Sequence, residues 1–134
     1  MADISITAGN VKLAAGSNVL VGIAGEALTQ GQPAVESGGK WVRCRATTAV
    51  LANCQAIVLT PAVLDEPVVL ARPGSRVNLG ATLAIGTVYA VSANLGGIAP
   101  IADLGSTQFI TPIGTATTAA ILLFNPQPSG IAKA

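Results

Sequence analysis

The sequence predicts an all-β fold, a small sandwich or barrel of short strands, and three observations predict it. Short apolar or alternating runs recur along the chain with Gly, Pro, Asn and Ser clusters between them, which is the grammar of strands and tight turns. No long segment carries the 3.6-residue period of an amphipathic helix. A glycine-rich pattern is also written twice: Gly25, Leu28, Gly31 and Ser37 recur as Gly80, Leu83, Gly86 and Ser92 at one constant offset (80 − 25 = 55), the signature of duplicated structure. Gly38-Gly39 then answers to Gly96-Gly97, so the second copy holds three further residues, Ala93-Asn94-Leu95, in a loop. Each copy reads as a hairpin. The spacing places Leu28 and Leu83 at equivalent inward positions in hairpins related by a pseudo-two-fold, and Gly31 and Gly86 at equivalent turns.

From the start of the chain, residues 3–8 alternate, with Ile4 and Ile6 on one face, and read as a half-buried strand. Gly9-Asn10 turns it, Val11 and Leu13 resume the alternation, and Gly16-Ser17-Asn18 makes a second turn before the apolar run Val19–Ala24. Residues 1–24 are therefore expected as an N-terminal β arm. A strand at a terminus is a free edge suited to pairing with another chain, so Ile4, Ile6, Val11 and Leu13 are expected at an interface. The β domain covers 25–124, with its duplicated hairpins at 25–40 and 80–98. Between them, residues 40–45 alternate Trp41, Arg43 and Arg45 against Val42 and Cys44, placing the tryptophan and two cations on one face as further interface candidates. Residues 46–54 hold the one plausible helical turn, with Thr47 or Thr48 as N-cap. Strands are expected over 56–59, 68–71, 108–113 and 119–124, with residues 76–79 leading into the second copy of the repeat and a turn at Gly114–Thr118. The Pro-Gln-Pro-Ser-Gly run favours an extended tail over 125–134.

Composition then limits the chemistry. At 134 residues the chain is one domain able to bury a core. Charged residues are 10% of it where roughly 25% is usual, so part of its surface is expected to be covered by other subunits. With no histidine, the commonest general base and metal ligand is missing. Cys44 and Cys54 have no third or fourth partner for zinc, and are expected reduced and buried or half-buried. Asp65 and Glu66 are adjacent before Pro67 and read as a polar turn, while Asp3, Glu26, Glu36 and Asp103 stand alone. No enzyme activity and no cofactor are expected. A net charge of +1 gives no footprint for nucleic acid. The uncharged stretches 77–102 and 104–132 are broken too often by Pro, Gly, Asn and Thr for a spanning helix, and the first residues lack the basic and apolar regions of a secretory signal.

The opening Ala2–Lys12, the Ala24–Pro33 segment, Gly80–Tyr89 and Gly96–Pro100 together resemble the head decoration, or capsid cement, proteins of tailed bacteriophages. The resemblance spans about Ala2 to Ala132 and rests on glycine-rich β grammar; Cys44 and Cys54 depart from it. It implies a β-rich virion structural protein, often trimeric, made in the host cytoplasm. Such a protein binds the outer surface of the assembled shell and bridges capsomers of the major capsid protein. A tail, baseplate or head-fibre component would share the same grammar. A carbohydrate-binding module would need Trp41 or Tyr89 as a stacking platform.

Overall fold

The computed structural model describes residues 3–4, 6–13, 18–106 and 108–131. These residues form two antiparallel sheets and almost no helix, so the chain is an all-β sandwich. In chain order the strands are β1 (Val11–Leu13), β2 (Val19–Ile23), β3 (Pro33–Ser37), β4 (Lys40–Arg43), β5 (Ala56–Val58), β6 (Pro67–Ala71), β7 (Arg76–Leu79), β8 (Val88–Val91), β9 (Ile98–Pro100), β10 (Pro112–Ala116) and β11 (Ile121–Phe124). One sheet runs β2-β6-β5-β3-β4 and the other β1-β7-β11-β10-β8-β9.

The two orders contain the same arrangement. Replacing β2 to β6, strand by strand in chain order, with β7 to β11 turns the first sheet into the last five strands of the second. Individual hydrogen bonds repeat as well. Leu28 N–H donates to Ala62 O at 2.8 Å and Leu83 N–H to Ala119 O at 2.7 Å. Gly31 N–H donates to Val58 O and Gly86 N–H to Ala116 O, at 2.8 and 3.0 Å. Both leucines are buried, and both glycines sit at positive φ, 87° and 82°, where a Cβ is strongly disfavoured. The duplication that the sequence carries in its hairpins therefore extends to two five-stranded halves.

The halves differ in how they close. In the first, the end of β2 reaches the far strand β4: Ala24 bridges Trp41 in parallel, and Gly25 N–H donates to Trp41 O at 2.7 Å. The five-stranded sheet thus curls until its edges meet around a small core of Ala24, Leu28, Ala34, Trp41, Ala56, Val58, Val68 and Leu70. In the second half the corresponding seam is spanned by the N-terminal segment. Ile4 N–H donates to Ile98 O and Thr7 N–H to Gly80 O, both at 2.9 Å, and Lys12 of β1 pairs with Asn78 of β7. The larger core joins the two sheets through Val35, Ile57 and Ala71 on one side and Val77, Leu79, Tyr89, Val91, Leu122 and Phe124 on the other. On β3, Ala34 faces the small core and Val35 the large one, so its burial does not alternate.

Several local expectations change. Residues 3–7 are not a strand among the described residues, and Ala8–Asn10 forms a single 3-10 turn. The segment is nonetheless tied down: Ser92 Oγ donates to Asp3 Oδ1 at 2.5 Å, and Asn94 Nδ2 to Asp3 Oδ2 at 3.1 Å. The loop that distinguishes the second repeat thus holds the N-terminal segment. The described residues among 3–13, with residues 19–24, are bonded into the sandwich instead of forming a separate arm.

The expected strand over 108–113 is found later, at 112–116, because Gly114 is a bulge and not a turn. Register against β8 shifts between Pro112 and Gly114, and a Cβ on Gly114 would lie 2.0 Å from Leu123 O, a spacing that only glycine permits. The tail runs back along the start of β10 and the residues before it, with Asn125 N–H on Ile113 O and Gln127 N–H on Pro112 O, both at 2.8 Å, and Ser129 N–H on Ile110 O at 3.2 Å. The short helix is Ala49–Ala52, with Thr48 as N-cap accepting from Leu51 N–H at 3.2 Å.

Candidate interaction surface

The seven residues expected at an interface do not form one exposed face. Val11 is buried, and Ile4, Ile6 and Leu13 are half-buried against the large core. Trp41 is buried at the seam of the first half, its indole lying over Gly22. Local alternation placed it beside the arginines on one face as an interface candidate; curling of the sheet turns Trp41 inward. Arg43 is half-buried and held by Glu26, whose Oε2 accepts from Arg43 N–H at 2.7 Å and from Nε at 3.1 Å. Arg45 lies beyond β4, where its backbone N–H donates to Leu51 O. Its Nε is buried with no acceptor among the described residues.

The remaining polar groups offer little chemistry. Four surface depressions are lined, respectively, around Lys12 and Asn78, around Glu36 and Phe109, around Pro112 and Gln127, and around Leu28 and Glu66. None of these four brings two charged side chains together. Among the described residues no group of three His, Cys, Asp or Glu side chains is placed to hold a metal, and no helix is long and apolar enough to cross a membrane. Lys40 and Asp65 form an exposed ion pair, of small energetic weight.

Cys44 and Cys54 are free and buried. Contact with Cys54 first, and burial second, push the Cys44 thiol far above the ordinary thiol range. A neutral, buried thiol is a poor nucleophile.

What the surface does present is apolar side chain. On β2, Val19, Val21 and Ile23 are 45, 68 and 39% exposed, while the alternate positions turn inward. Val50, Val63, Leu64 and Ile85 are also exposed on loops and on the short helix. The signal for β2 was present in the sequence as an apolar run without a single charge to guard it; its side chains were readable, but which of its faces stayed in water was not. No known protein-family model matches this chain, and no curated protein matches it either.

Proposed function

We propose that the protein is a virion structural protein that decorates and stabilises the capsid of a tailed bacteriophage. In this reading it binds the outer surface of the assembled shell between capsomers of the major capsid protein. The observation that carries the reading is the surface: an all-β domain with 10% charged residues leaves Val50, Val63, Leu64 and Ile85 largely in water. A large apolar surface on a small domain marks contact with other proteins. Function here is adhesion. Many copies of a nearly neutral domain bury apolar side chains between shell subunits and raise the resistance of the shell to internal pressure. The resemblance of the sequence to capsid cement proteins supports the same reading.

A tail or baseplate role uses similar surfaces and differs in copy number. The carbohydrate-binding alternative lacks its platform, because Trp41 and Tyr89 are 7 and 3% exposed and the Tyr89 hydroxyl accepts from Ala84 N–H at 3.0 Å. The deciding experiment adds the purified protein to assembled shells that lack it, then measures co-sedimentation and stoichiometry. Saturable binding in a fixed ratio to the shell subunit is expected. Recovery only with tail structures, or no binding to shells, would overturn the proposal.

A further inference from the structure

Cys44 and Cys54 are the only cysteines of the chain, and the fold brings their side chains into contact inside the large core. Their backbones are fixed on either side of that contact. Cys44 N–H donates to Pro33 O at 2.9 Å and Cys44 O accepts from Gly96 N–H at 2.8 Å, while Cys54 N–H donates to Ala52 O at 2.9 Å. The Cys54 thiol donates to Ala56 O at 3.6 Å. Between the two cysteines the chain leaves the first sheet, passes through the Ala49–Ala52 helix and returns to β5. Arg45 N–H donates to Leu51 O at 3.1 Å, so the segment closes on itself as a loop with one cysteine at each foot. Residues 47–50 at its far end are exposed.

Neither metal binding nor catalysis accounts for the pair. Two thiols do not make a zinc site, no third ligand joins them among the described residues, and neutral buried sulfur is unsuited to nucleophilic attack. Packing does not call for sulfur either, since Ala46 and Ala52 on the same loop are as deeply buried without it. What two thiols in contact can do, and two alanines cannot, is exchange two hydrogens for a covalent bond.

We infer that Cys44 and Cys54 form an oxidation-dependent clamp, an internal disulfide that fastens the loop 45–53 at its base. The oxidant is a small disulfide of the glutathione class. One cysteine, its proton given up to water, attacks a sulfur of the reagent and expels the other half as a thiolate. The second cysteine, deprotonated in turn, attacks the protein sulfur of the mixed disulfide and expels the remaining half. The protein has then lost two protons and two electrons, and the reagent has gained them as two thiols. Burial sets both the rate and the product, because Cys44 is 0% exposed and Cys54 2%. The first attack waits for the loop to open, so the pair ignores brief oxidation. A bulky adduct does not fit where both sulfurs lie, so closing of the loop favours the internal bond over the mixed one. In a reducing cytoplasm the pair stays as thiols, and in an oxidising exterior it closes. The bond depends on this chain alone; that it closes after release of a particle rests on the reading proposed above. Its effect falls on the surface that carries Val50 and borders the depression around Glu36 and Phe109, which the clamp holds in one arrangement.

The test incubates the reduced, purified chain with oxidised glutathione in native buffer and, in parallel, in urea, and reads the products by intact mass and peptide mapping. The native sample should lose the mass of two hydrogen atoms, carry no glutathione, and yield a peptide cross-link joining Cys44 to Cys54. Its urea midpoint should rise above that of the reduced chain, because the bond restricts the unfolded state, and exchange of the Arg45 amide should slow. Dithiothreitol should reverse both changes, and Cys54→Ala, treated identically, should show no rise. A native chain that stays reduced while the urea sample oxidises, a stable glutathione adduct, a bond between two chains, an oxidised chain with a lowered midpoint, or a rise that persists in Cys54→Ala would each overturn the inference.

Discussion

Truncating Leu28 and Leu83 to alanine, one at a time, tests whether the two halves are energetic as well as topological copies. Leu28 is 3% exposed and Leu83 4%, and each donates its backbone N–H to an alanine carbonyl in the matching loop. Removing three carbons costs about 2.4 kcal/mol in transfer free energy at ~0.8 kcal/mol per buried carbon. The cavity left behind raises the total for leucine to alanine to about 2–5 kcal/mol. The two variants should fall in that range and differ from each other by no more than about 1 kcal/mol, whereas Leu64→Ala, at a side chain 58% exposed, should stay within about 0.5 kcal/mol of wild type. Urea unfolding at one fixed protein concentration measures this, with Trp41 fluorescence and far-ultraviolet circular dichroism followed together. Coincident transitions and equal slopes license the comparison, and fixed concentration keeps any self-association constant. If one leucine cost less than about 1 kcal/mol while the other cost its full share, the repeated bonds would not reflect equivalent packing.

Gly22→Ala should destabilise the first half, because a Cβ there would lie 2.4 Å from Trp41 Nε1 and 2.5 Å from its Cδ1; about 1–3 kcal/mol is expected from overpacking, accompanied by a shift in Trp41 emission. Asp3→Ala removes both bonds to Ser92 and Asn94 and should cost about 1–3 kcal/mol, with faster amide exchange at Ile4 and Thr7 but not at Gly25. Stability should fall as pH rises above the ordinary thiol value of about 8.5, since the Cys44 thiol is held neutral in the fold while the unfolded chain releases its proton. Cys44→Ala should flatten that slope, which urea midpoints at several alkaline pH values will read.

The elements most legible in the sequence were those fixed by local chemistry. Gly31 and Gly86 needed only their spacing and the positive φ it called for, and Thr48 needed only a side-chain oxygen ahead of three helix-compatible residues. Gly114 misled because glycine marks both turns and bulges, and only the β8 register distinguishes them. Trp41 misled for a long-range reason. A strand alternating Trp, Arg and Arg reads as an outward interface face until the far end of β2 arrives beside it, and that meeting involves segments far apart in the chain with no shared sequence pattern. The extension of the repeat from two hairpins to two halves was hidden in the same way. Leu70 and Leu122 hold equivalent places opposite Val58 and Ala116, but aliphatic residues substitute for one another freely in a β core, so position survives where identity does not.

The unequal closure of the halves explains why part of the β2 edge stays open. Each half brings its first strand toward its third across a seam, and the first half seals that seam directly from Ala24 onward. Sealing there uses the C-terminal end of β2 and leaves the hydrogen-bonding groups of Val19 and Val21 ahead of it. In the second half Thr7 meets Gly80, Ile4 meets Ile98, and β1 continues along β7 to Val77. A single N-terminal segment therefore seals the seam and covers the edge together. One such segment serves one half only, because Asp3 is anchored on the loop that the second repeat alone possesses. Transplanting Ala93-Asn94-Leu95 into the Gly38-Gly39 turn would give the first half a matching loop but no second N-terminal segment to fill it. The edge of β2 ahead of Ile23 would remain open in that variant, and exchange of the Val21 amide should be as fast as in the parent chain.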